Sequence, residues 1–162
     1  MTAILIDGDK VIDMREAEPI VVEVHLQKHY RFMYENFVIA TQGDAYLLVE
    51  KDGQKVSALK FNFRQLKYGS PNDEARGGHP LSAHGLGFYG LYEVRNSPWI
   101  AELMRANRVH PMHQDSMYGD LKHYIACFKD VMFEVVCDAM EEMQLSVDEV
   151  NALISKQLDY LA

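Results

Sequence analysis

The sequence predicts an α+β fold: an antiparallel β-sheet built from N-terminal hairpins and covered by three helices, mostly in the C-terminal half. Three observations predict it. Asp-Gly pairs divide apolar runs in ILIDGDKVI (4–12) and LLVEKDGQKVSALKFNF (47–63), and glycine accepts the positive φ of a two-residue hairpin turn. Up to residue 67 the chain alternates β-branched or aromatic residues with polar ones. Beyond residue 96, stretches with helical spacing and recognisable caps take over.

The elements follow in order. In IVVEVHLQ (20–27) the alternation points Val22, Val24 and Leu26 inward and Glu23 and His25 outward. HYRFMYENFVIA (29–40) continues as a strand. In the second hairpin Leu59, Phe61 and Phe63 alternate with Lys60, Asn62 and Arg64, so one face is buried and the other wet. LGFYGLYEV (86–94) reads as a strand or an extended approach to the next element. NSPWIAELMRANRV (96–109) is a helix with Ser97 as N-cap and Pro98 at its first position, where a missing N–H costs nothing. LKHYIACF (121–128), apolar on both sides apart from His123, reads as a central strand.

DVMFEVVCDAMEEM (130–143) places Met132, Val135, Val136, Ala139, Met140 and Met143 on one helical face. Glu134, Asp138, Glu141 and Glu142 form the opposing acidic stripe, with Asp130 as N-cap, so a helix is predicted here. A further helix opens at Ser146, where Glu149 completes a capping box. No linker or repeat divides residues 1–162, which are read as a single domain.

Composition narrows the function. The net charge is −8 over 162 residues, and from Asp130 onward eight acids face one base, Lys156. With no basic stripe to release counterions from phosphates, neither nucleic acid nor an anionic membrane is expected as a partner. No run approaches the ~20 apolar residues of a membrane span, and the N-terminus lacks the parts of a signal peptide. Cys127 and Cys137 lie in apolar surroundings, which predicts a reduced, cytoplasmic protein. Sheet edges and nine methionines predict a homo-oligomer, most simply a homodimer.

Residues 67–90, KYGSPNDEARGGHPLSAHGLGFYG, hold six of the ten glycines and two of the seven histidines. Asp73, Glu74 and Arg76 precede Gly77, Gly78 and His79; consecutive glycines can turn N–H groups toward one point, and a guanidinium can clamp an anion. Phe88, Tyr89 and Tyr92 add flat apolar walls. His79 or His84, beside a carboxylate, could act as general base, and Glu93 is a third acid/base candidate. Among the serines, Ser70, Ser82 and Ser97 lack an elbow motif, and Ser97 is explained as a cap. His79, His84, His110 and His113 would be the ligands of a divalent metal, the less favoured option because zinc-site spacing is missing.

The expected function is therefore binding of a small polar or anionic molecule at the loop 70–90, with histidine acid/base chemistry. The alternative is a non-enzymatic oligomeric or regulatory subunit using its acidic C-terminal helices or a sheet edge as interface. Ligand identity and reaction type are not legible in the residues.

Overall fold

The computed structural model describes residues 17–34 and 36–161, together with the backbone of residues 6–7 and 10–11. Strands β1 (Ile6–Asp7) and β2 (Lys10–Val11) form a separate two-stranded ribbon. The remainder of the predicted first hairpin, and the leader-peptide question, lie outside the described residues.

A seven-stranded antiparallel sheet organises the rest. Its strands are β3 (Ile20–Glu23), β4 (Phe37–Ala40), β5 (Asp44–Asp52), β6 (Lys55–Gly69), β7 (Gly90–Arg95), β8 (Lys122–Cys127) and β9 (Met132–Ser146), in the spatial order β3-β7-β8-β9-β6-β5-β4. The two α-helices among the described residues are α1 (Pro98–Ala106) and α2 (Val147–Leu158). The fold is α+β, with two corrections to the expectation. There are two helices rather than three, because residues 132–146 form β9. The sheet is also not an assembly of N-terminal hairpins: β9, from the C-terminal half, runs through its middle.

The reason for the first correction is visible in the pairing. Met132–Cys137 lies between β8 and β6 and is covered on both faces. Such a strand reads as a near-continuous apolar run, which imitates a helical face when its residues include valine and methionine. Phe133, Val135 and Cys137 point to one face and Met132 and Val136 to the other, all essentially buried.

The first face packs Leu47, Leu59, Phe61, Phe133 and Val135 against Tyr30 and Phe32 from the irregular segment 24–34. Complete burial of each large side chain contributes about 2 kcal/mol. Val24 and Leu26 join this cluster as expected, but Val22 is exposed and Val21 is the buried residue of β3. As an edge strand β3 turns Val21 toward the second face, and the chain crosses to the first face only after Glu23.

The second face has three covers. Leu81 and Leu86 of the glycine-rich loop pack on Tyr92, Val94, Ile125 and Met132. Trp99 of α1 covers Val136, and Val150 of α2 covers Leu48, Val56 and Ala58. Both helices start as the sequence indicates. Ser97 Oγ accepts from Ile100 N–H, and Ser146 and Glu149 form the reciprocal capping box.

Candidate functional site

The glycine-rich loop is packed flat on the sheet. A Cβ on Gly87 would run into the ring and hydroxyl of buried Tyr92, so glycine lets the loop lie this close to the sheet. Arg76, the expected anion clamp, is 1% exposed. Its Nη2 donates to Phe128 O at 2.7 Å, its Nη1 donates to Gly87 O at 3.3 Å, and its guanidinium lies 4.8 Å from the Phe88 ring centre. Its Nε has no hydrogen-bond partner among the described residues. Arg76 therefore ties the loop to the β8–β9 turn. The Tyr89 hydroxyl donates to Asp73, which holds that exposed carboxyl below its usual range. Glu74 is exposed, as are Gly77 and Gly78, whose missing side chains leave open space.

His79 has a different environment. Its Nδ1 accepts from Leu81 N–H at 3.1 Å, which leaves the proton on Nε2, and Nε2 lies 2.8 Å from Glu134 Oε1. The other oxygen, Glu134 Oε2, is 3.3 Å from Nε2 of His123, and Nδ1 of His123 is 2.8 Å from Ser97 Oγ. With Glu134 as acceptor, His123 carries its proton on Nε2, and the Ser97 hydroxyl donates to Nδ1. The four side chains form one unbroken chain, Ser97–His123–Glu134–His79. His123 is 2% exposed, and Trp99 packs against it in a T-shaped pair, 5.3 Å between ring centres.

Burial alone would raise the pKa of Glu134, but hydrogen bonds from His123 and His79 overcome that penalty and bring it to about 2. The site therefore holds one anionic carboxylate between two imidazole donors. Lys67, opposite Glu134 in the β6–β9 register, stacks its ammonium 3.9 Å from the Trp99 ring centre. Trp99 Nε1 in turn donates to Gln65 Oε1 at 3.2 Å.

Of the four residues in that hydrogen-bonded chain, Ser97 lines a cleft of about 650 Å³ between the ends of β7 and β8, the segment before β3, and α1. Glu93 contributes to its wall and pairs with Lys122 at 3.6 Å. A second cavity, about 630 Å³, lies across Tyr118 and Leu121, which line both.

The remaining expected residues are dispersed. His84 closes a short 3-10 turn. His110 Nδ1 accepts from Met112 N–H, and His113 bridges Asn107 and Asp115. Among the described residues no three histidine, cysteine or acidic side chains converge as a metal site. Phe88 and Tyr89 are partly exposed on the loop, whereas Tyr92 is buried beneath it, its hydroxyl donating to Phe88 O. Cys127 and Cys137 are free and buried, and burial pushes both thiols up to about 12. No helix among the described residues is long and apolar enough to cross a membrane.

The sequence singled out His79 as an acid/base candidate, placed Glu134 on an acidic helical stripe, and read His123 only as a strand residue and Ser97 only as a cap. The available signal was one imidazole, His123, and one carboxylate, Glu134, each inside an otherwise largely apolar run, HYIAC and MFEVVC. No protein-family model, curated protein or solved structure matches the chain significantly.

Proposed function

We propose that this protein binds a small polar molecule in the cleft beside α1 and acts on it by acid/base chemistry through the chain Ser97–His123–Glu134–His79. The observation that carries this reading is the position of Ser97, which belongs both to the cleft wall and to the hydrogen-bonded chain. The cleft volume is within the ~300–1,000 Å³ usual for small-molecule sites. Its wall includes Glu18, Glu93, Arg95 and Lys122, a mixed charge that favours a polar or zwitterionic ligand over an apolar one. The loop serves the site by delivering His79 to Glu134, while Arg76 anchors the loop.

Ligand-observed NMR with a library of small polar compounds tests this proposal. Binding should be found for wild type and lost in Ala101→Trp, which fills the cleft from α1. Failure to find a binder, or binders indifferent to that substitution in a folded protein, would remove the reading. A cytoplasmic setting is part of the same proposal, supported by two free, buried thiols.

A second reading, a homodimeric subunit, is favoured by α2. Its apolar stripe begins at buried Val150 and continues through Ile154 and Leu158, which are 39% and 58% exposed. Sedimentation velocity at micromolar concentration should then return a dimer, and a monomer would exclude this reading.

A further inference from the structure

We infer that Ser97 is the nucleophile of an acyl-transfer site that hydrolyses small carboxylic esters, an inference that rests on the cleft being the ligand site. The backbone presents it appropriately. β7 ends at Arg95, Asn96 takes a left-handed conformation with φ +52°, and Ser97 follows immediately before α1. Asparagine is among the few non-glycine residues that adopt this conformation readily. The result is a strand–turn–helix step that leaves a serine at a helix N-terminus on the cleft wall.

The side-chain arrangement goes beyond what capping requires. An N-cap serine needs only the N–H of the third helical residue, supplied here by Ile100 at 3.2 Å. Ser97 also meets a buried imidazole whose opposite nitrogen is held by a carboxylate, and His79 fixes the second oxygen of that carboxylate. This is the nucleophile–base–orienter order that activates a hydroxyl. Ser97 is buried, 7% exposed; its hydroxyl gives its proton toward His123 and uses one lone pair for Ile100 N–H, and in this assignment the second lone pair makes the attack on a substrate seated in the cleft.

In the first half-reaction, Ser97 Oγ bonds to the ester carbonyl carbon and its proton passes to His123 Nδ1. The positive end of the α1 dipole lies beside the oxyanion so formed. The bond from carbon to the alkoxy oxygen breaks, and His123 returns the proton to the departing alcohol. Water then adds to the acyl-serine carbon, giving a proton to His123. Collapse frees the carboxylic acid and restores the Ser97 hydroxyl. Ester plus water becomes acid plus alcohol, with no other reactant.

An alkyl fluorophosphonate tests the assignment directly. A phosphorus–oxygen bond forms at an activated serine, fluoride leaves, and the proton goes to the base. Wild type should acquire one adduct by intact mass, mapped to Ser97 by peptide sequencing. Ser97→Gly retains a permissible N-cap and should remain folded by circular dichroism without acquiring the adduct. His123→Gln should label at least a hundredfold more slowly. Absence of an adduct on folded wild type, an adduct on another residue, or equal labelling of Ser97→Gly would overturn the inference. Ligand binding that is lost in Ala101→Trp, combined with no adduct at Ser97, would keep the cleft as a binding site and remove only the nucleophile.

Discussion

The two halves of β9 belong to one strand but to different environments. Residues 132–137 are flanked by β8 and β6 and covered on both faces, and their only ionisable groups are Glu134 and the Cys137 thiol. Residues 138–146 pair with β6 alone and carry Asp138, Glu141 and Glu142. The inner carboxylate is gripped by two imidazoles. Glu142 is held by Gln27 N–H at 2.6 Å, Lys28 N–H at 3.1 Å and the Tyr30 hydroxyl at 2.8 Å, which latches segment 24–34 across the sheet. Asp138 makes a bidentate pair with Arg64 in water, both about half exposed. The same chemical group thus has three roles along one strand, and burial determines which.

That gradient predicts a ranked series. Glu134→Ala strands the Nε2–H groups of buried His123 and partly buried His79 and should destabilise by about 3–5 kcal/mol, the cost of breaking a buried pair. Urea denaturation at neutral pH measures it. A cost below that of the Glu142 variant would invert the comparison.

Acid should remove the same contribution without mutation. The carboxyl of Glu134 titrates near 4.5 when unfolded and about 2 when folded. Because the folded value is depressed, its stabilisation is complete above pH 4.5 and is lost as pH falls from there through about 2. The shift corresponds to about 3 kcal/mol. Denaturation midpoints measured across that window should fall steeply for wild type and more shallowly for Glu134→Ala.

Glu142→Ala should cost about 1–3 kcal/mol, since it leaves two backbone N–H groups and a tyrosine hydroxyl without their acceptor. Its distinguishing signature is local: amide exchange at Gln27 and Lys28 should accelerate while that of Met132–Cys137 is preserved. Asp138→Ala should be the mildest, within about 0.5 kcal/mol, as exposed ion pairs usually are. A loss from Asp138→Ala comparable to that from Glu142→Ala would show that burial is not what ranks them.

The same contrast explains what the sequence reveals. Helix starts are written locally, in Ser97–Pro98 and in Ser146 with Glu149, because a cap is completed within four residues. The alternation of Leu59, Phe61 and Phe63 is equally local, because Asn62 and Arg64 between them stay exposed on the opposite face. β9 is not legible in this way. Its inner half is apolar on both sides because of strands paired from residues 55–69 and 122–127, a fact no local window contains. The hydrogen-bonded chain is harder still, joining residues 79, 97, 123 and 134 from a loop, a cap and two strands. Arg76 shows the converse hazard: a cation among glycines has the composition of an anion site, yet packing encloses it against backbone carbonyls.

The account stands on Glu134 accepting from both histidines while Ser97 donates to one of them. Long-range 1H–15N correlation spectra of the histidine rings at neutral pH test this most directly. The account predicts the Nε2–H tautomer for His79 and for His123, with both Nδ1 atoms unprotonated and the Nε2 protons protected from exchange. An Nδ1–H tautomer at either ring, or rapidly exchanging Nε2 protons on both, would contradict it.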